Sequence, residues 1–96
     1  MKPSLALEAN RDAIRALVAK YRAANPRVFG SVARGEDNED SDIDILVDAL
    51  PGATMFSLGG LQYELQELLE VKVDLATPEE IPPQIRDEVM SDAMSI

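Results

Sequence analysis

Two aspartates at alternate positions, Asp42 and Asp44, stand in the segment Ser41-Asp42-Ile43-Asp44-Ile45-Leu46-Val47, ten residues after the glycine-serine pair Gly30-Ser31. In a strand, residues i and i+2 project from one face, so the two carboxylates would stand side by side while Ile43, Ile45 and Val47 face a core. Ionised carboxylates held this close repel, and one tends to keep its proton unless a cation intervenes. Hard divalent ions such as Mg²⁺ take oxygen from one or two carboxylates and complete their shell with water and substrate phosphates. A metal holder is therefore the economical reading of the pair. The Gly30-Ser31 turn supplies a plausible second half, because backbone N–H groups entering a helix, with a hydroxyl, favour anionic oxygen.

A third carboxylate, Asp74, alternates with Val73 and Leu75 in Val71–Ala76. If that strand neighbours the second, Asp74 joins Asp42 and Asp44 on one face. Three carboxylates suit the attack of a hydroxyl on an α-phosphate: two hold the triphosphate metal, and the third helps hold a second metal or accepts the hydroxyl's proton. Plainer readings stand beside these. Any single aspartate in so acidic a chain can be solvated surface, and Asp48, at the strand end, is given no role. Ser31 can be a helix N-cap, and Arg34 can pair with the acidic loop after it or clamp phosphoryl oxygens. A nucleophilic Ser31 lacks a histidine to activate it.

Composition narrows the field. The chain has 96 residues, no cysteine and no histidine, which excludes thiolate metal sites and disulfides and argues against imidazole catalysis. Its length fits one small domain, residues 1–96. A formal charge of −9, from 18 acidic and 9 basic residues, disfavours nucleic acid as the main ligand, since phosphate-backbone binders rely on Lys and Arg. No signal-peptide core and no apolar run of spanning length is present, so a cytoplasmic location without membrane contact is expected.

The elements that must position these groups follow in order. Ser4 is expected to cap a helix from about Leu5 to about Ala24, ended by Asn25-Pro26. Arg27-Val28-Phe29 reads as a short strand, Ser31–Gly35 as a helical turn, and Glu36–Ser41 as a mobile polar loop. Ile43–Asp48 forms a second strand, and Pro51-Gly52 a turn. A second helix starts near Thr54 or Ser57, or after Gly59-Gly60, where glycine costs roughly 1 kcal/mol per residue; it carries Leu58, Leu61, Leu65, Leu68 and Leu69 inward. Val71–Ala76 is a third strand. A last helix from Pro82 or Pro83 turns Ile85, Val89 and Met90 or Met94 inward. The order suggests an α/β (α+β) fold, a small mixed sheet covered by helices.

With these residues in view, the chain resembles the nucleotidyltransferases of the polymerase β superfamily, whose signature is a glycine-serine turn, a spacer and Asp-x-Asp. The fuller Gly-Ser-x-Ala-Arg-Gly of residues 30–35 and Ser-Asp-Ile-Asp of residues 41–44 are similar to the minimal nucleotidyltransferase branch, often the antitoxin partner of a HEPN-domain ribonuclease toxin. The resemblance implies ATP as substrate with Mg²⁺, two ions being expected, and transfer of AMP with loss of pyrophosphate. It further implies a tyrosine of the toxin as acceptor. By matching position, Gly30 and Ser31 would hold the β and γ phosphates, Asp42 and Asp44 metal, and Asp74 would complete the metal site or act as base; Arg34 matches the motif arginine. The competing expectation is a non-catalytic antitoxin that neutralises a basic toxin through its acidic surface. Transfer to a small molecule is a third, although larger relatives that do this use a further domain.

Overall fold

The computed structural model describes residues 2–96. Helices α1 (Pro3–Ala9) and α2 (Arg11–Lys20) lead into strand β1 (Ala23–Phe29), the short helix α3 (Gly30–Ala33) and strand β2 (Ile43–Ala49). Helix α4 (Met55–Leu69), strand β3 (Val73–Ala76), a 3-10 turn (Pro78–Glu80), helix α5 (Pro83–Asp92) and strand β4 (Met94–Ser95) complete the chain. The four strands form one mixed sheet in the order β3-β2-β1-β4, with β1 antiparallel to β2 and β4, and β2 parallel to β3. A parallel pair needs a crossover, and α4 provides it. The α/β reading of the sequence is borne out.

Ile43, Ile45 and Val47 of β2, with Val28 and Val73 beside them, are buried against Leu7, Ile14, Val18, Leu61, Leu65 and Leu69 of the helices. The strand's period of two and the helices' period of 3.6 thus meet in one apolar layer. No helix among the described residues is long and apolar enough to cross a membrane.

Several boundaries depart from the sequence expectation, each for a local reason. The first helix is two helices, because Asn10 takes φ −128° and ψ 19°. Its side-chain amide donates to the Ala6 carbonyl at 2.8 Å, a local bond that competes with helix continuation. Ser4 does not cap α1; the cap position is Lys2, and the Ser4 N–H donates to Asp37 at 2.9 Å. Asn25-Pro26 lies inside β1 rather than ending a helix: Asn25 adopts φ 55°, and the register with β2 shifts between Ala24 and Arg27. A bulge tolerates proline, which has no N–H to give the ladder.

Helix α4 begins at Met55, with Thr54 and Ser57 exchanging backbone and side-chain hydrogen bonds, so both glycines lie within it. A Cβ on Gly60 would approach Tyr21 Cε1 to 2.9 Å; the missing side chain lets the end of α2 pack onto α4. Strand β3 begins at Val73, whose N–H and carbonyl are taken by the side chains of Gln66 and Gln62 at 3.0 Å each.

Loop 36–41 is anchored, not free, since Asp37 is buried at the start of α1. The inward face expected of the last helix is realised only in part: Val89 is half-buried, Ile85 and Met90 are exposed, and the exposed Met94 belongs to β4. Helix α5 lies beside the sheet face that carries Arg27, Phe29, Asp44 and the buried Leu46, with Ile85 and Val89 lining a cleft against Phe29 and Gly30.

Candidate active site

The site is built where β1 turns into α3 beside the middle strand β2. Phe29 pairs with Asp44 across the β1–β2 ladder, and Asp44 pairs with Asp74 across β2–β3. Asp44 therefore stands between the glycine turn on one side and Asp74 on the other. Gly30 takes φ +73°, and a Cβ there would fall 2.3 Å from Asp44 Oδ2. Only glycine gives both the left-handed backbone and the room for the carboxylate.

Asp44 is about half-buried, and its carboxyl is pushed up to about 6, first by burial, then by the adjacent Asp74 carboxyl and by Asp42; Arg34 opposes the shift. Crowded carboxylates that retain a proton near neutral pH are what a bound cation relieves. Among the described residues, no group of three or more Asp, Glu, His or Cys side chains already converges as a cage for a metal. The donor set nonetheless fits Mg²⁺, which commonly takes only one or two carboxylates and relies on substrate phosphate and water for the rest.

Helix α3 has Phe29 at its cap position, with no side-chain cap. Gly30 is its first residue and Ser31 its second, so Ser31 is not the N-cap. It is half-buried in the first turn of α3. Arg34 Nε donates to Glu36 Oε1 at 2.7 Å, and its Nη1 lies 3.8 Å from Asp92 Oδ2. Arg34 thus makes the loop pairing that the acidic composition suggested, while its charge still reaches Asp44. A cleft of about 230 Å³ opens here, lined by Phe29, Gly30, Arg34, Ile85, Glu88 and neighbouring residues of α5.

Asp42 precedes β2 and is half-exposed; its Oδ2 lies 3.9 Å from Lys72 Nζ. The structure brings Asp44, Asp74 and Gly30 together directly, with Ser31 next in the turn, and it sets Asp42 and Arg34 at the margins in ion pairs of their own. Sequence reasoning missed the Lys72–Asp42 pairing and the second Arg34 partner, Asp92. Lys72 was legible in principle, being two residues before Asp74 on the same strand face. Asp48, given no role, accepts from buried Arg27 and from Asn25 at 3.3 Å, and so belongs to the framework.

A small mixed sheet that sets a glycine-serine turn against aspartates on adjoining parallel strands defines a nucleotidyltransferase-type site. The chain belongs to the nucleotidyltransferase domain family, which matches residues 11–95, and within it to the enzymes named protein adenylyltransferases. MJ0435 of Methanocaldococcus jannaschii, a proposed protein adenylyltransferase, is 38% identical over 80 residues, covering 83% of this chain and 86% of its own. Protein adenylyltransferase MntA of Thermococcus cleftensis is 36% identical over 69 residues, covering 72% of this chain and 70% of its own.

A solved structure of a proposed minimal nucleotidyltransferase superposes with a TM-score of 0.87 at 40% identity, covering 100% of this chain and 97% of the other. Two more distant structures share the fold. A toxin-antitoxin with AMP-PNP gives a TM-score of 0.75 at 24% identity, covering 90% and 71% of the two chains. A tri-AMPylated Shewanella oneidensis HEPN toxin in complex with its MNT antitoxin gives 0.68 at 21%, covering 92% and 69%.

Proposed function

We propose that this chain transfers AMP from ATP to a tyrosine hydroxyl of a partner HEPN-domain ribonuclease toxin and so acts as its antitoxin, with Mg²⁺ required and pyrophosphate released. The carrying observation is the close approach of Asp44 to Gly30, with Asp74 opposite Asp44 on the next strand, which joins the carboxylates to the turn in one small site. The relatives' names and the AMP-PNP and tri-AMPylated complexes support the choice of nucleotide, partner and modification.

In this reading Asp42 and Asp44 hold Mg²⁺, and Asp74 either completes that set or takes the proton of the attacking hydroxyl. The metal, when bound, offsets the charge of the triphosphate and of the departing pyrophosphate. The amides of α3 and the Ser31 hydroxyl hold the terminal phosphates against Gly30, where no side chain intrudes. Arg34 leaves Glu36 and Asp92 to pair with a phosphoryl oxygen, a charge-assisted bond that either acidic partner prefigures. No general base of the histidine type is needed in this reading, because a carboxylate beside the attacking hydroxyl can accept its proton.

The test is incubation of the protein with ATP, Mg²⁺ and a HEPN-domain toxin as acceptor, followed by intact-mass and peptide mass spectrometry. Added AMP on a tyrosine of the partner, dependent on both ATP and Mg²⁺, is the expected result. A partner neutralised without gaining any mass overturns the enzymatic reading and leaves the stoichiometric one.

A further inference from the structure

The face of the sheet that carries the site is a two-by-two grid of charged side chains. Asp44 and Asp74 form one rung of the parallel β2–β3 pair. One residue before the Ile43–Val73 rung, Asp42 and Lys72 face each other, with Oδ2 and Nζ 3.9 Å apart. The backbone there is fixed, since the Ile43 N–H donates to the Lys72 carbonyl at 3.0 Å. Three positions of the grid are carboxylates and the fourth is an ammonium. Asp42 thus already has a cationic partner in its own chain, and no three-carboxylate cage is formed among the described residues.

Lys72 also has somewhere else to go. Its side chain is 67% exposed, and it lines the rim of a shallow depression together with Tyr63, Gln66, Glu67, Glu70 and Val71. Glu67 and Glu70 offer an ammonium displaced from Asp42 an acidic surface on the far side of its strand. A long, flexible lysine between two acidic neighbours can exchange them at little cost, because an exposed ion pair of this kind contributes about 1 kcal/mol or less.

Resting on the reading of Asp42 as a metal ligand, we propose that Lys72 is a positioning residue: its ammonium stands in for the divalent cation at Asp42 and must be displaced for the metal to bind. The pairing keeps the site weak for free metal. The additional attraction of a triphosphate then favours exchange, so metal and nucleotide arrive together. Lys72 touches neither nucleotide nor acceptor in this account; it acts through Asp42.

The experiment measures Mn²⁺ binding by electron paramagnetic resonance, with and without ATP, on the wild-type chain, Lys72→Met, Lys72→Arg and Lys20→Met. Lys20 pairs with Glu64 on α4 instead and controls for loss of one positive charge. Without nucleotide, Lys72→Met is expected to bind Mn²⁺ roughly 1.5- to 5-fold more tightly than wild type, the range of an exposed ion pair. Lys72→Arg and Lys20→Met are expected to stay at the wild-type value, and ATP is expected to narrow the gap. Equal or weaker Mn²⁺ binding by Lys72→Met, or the same gain in Lys20→Met, overturns the role of Lys72 and leaves the site reading intact. Failure of every variant to bind Mn²⁺, even with ATP, overturns the site reading and the proposal together.

Discussion

Replacing Gly30 by alanine separates what the turn does for stability from what it does for chemistry, because Gly35 provides a matched control. Both glycines hold nearly the same left-handed backbone, φ +73° and +72°. A Cβ at Gly35 would meet nothing within 4 Å, whereas one at Gly30 would lie 2.3 Å from Asp44 Oδ2 and 3.3 Å from its Cγ. Each alanine carries the left-handed penalty of roughly 1–2 kcal/mol, which in a chain of this size lowers Tm by about 4–8 °C per kcal/mol. Gly30→Ala must also expel the Asp44 carboxylate, and no small shift relieves 2.3 Å. The carboxylate would rotate away from Asp74, and misplacement of about 1 Å at a reacting centre can cost on the order of 100-fold in rate. Thermal melts and AMP transfer from labelled ATP are the assays. A loss of Tm in Gly30→Ala at least as large as in Gly35→Ala, with transfer lost only in Gly30→Ala, is expected. Wild-type transfer by a folded Gly30→Ala protein would refute the claim that Asp44 must sit against the turn.

Four further outcomes follow from the same geometry. Because the folded pKa of Asp44 is raised from 3.8 to about 6, the native state holds the proton more tightly than the unfolded chain; its stabilising share is full below about pH 4 and is lost as pH rises to about 6. Discounted for the exposure of the group, the loss is on the order of 1 kcal/mol, so urea denaturation of wild type and Asp44→Asn should diverge between pH 4 and 7, with the variant the more stable at pH 7. In α4, Gly59→Ala should stabilise by about 0.5–1 kcal/mol, having nothing within 4 Å of its new Cβ; Gly60→Ala, meeting Tyr21 at 2.9 Å, should gain less or lose. Asp48→Ala, which strips buried Arg27 of its carboxylate, should cost more by urea denaturation than Arg27→Met, which leaves a half-exposed Asp48 in water. Ile45→Ala, deleting a fully buried side chain, should cost about 2–5 kcal/mol.

Much of the site could be read from the chain because period-two spacing is a local rule. Asp42, Asp44 and the alternating isoleucines state the strand and its faces without reference to anything distant, and Asp74 lands on the same face once β3 is taken as a neighbour. What stayed hidden depends on contacts between remote segments. Asn10 splits the first helix by donating its side-chain amide to the Ala6 carbonyl, a choice the amphipathic pattern does not reveal. Asp37 is anchored by an N–H 33 residues away, so a polar run that looks free is held. Gly60 reads as a helix breaker until Tyr21 fills the space it leaves. Ile85 and Met90 of α5 follow helical spacing yet remain exposed, while Val89 is half-buried, a division that helical spacing alone does not reveal.

The account stands on the joint action of Asp42 and Asp44 at the glycine turn. Its most direct test is the rate of labelled AMP transfer to the partner protein by wild type and by Asp42→Asn/Asp44→Asn, with complex formation checked in parallel by size-exclusion chromatography. The prediction is an intact complex with transfer reduced by at least about 100-fold, the several kcal/mol that metal holding supplies. Transfer at the wild-type rate by the doubly substituted protein would contradict it.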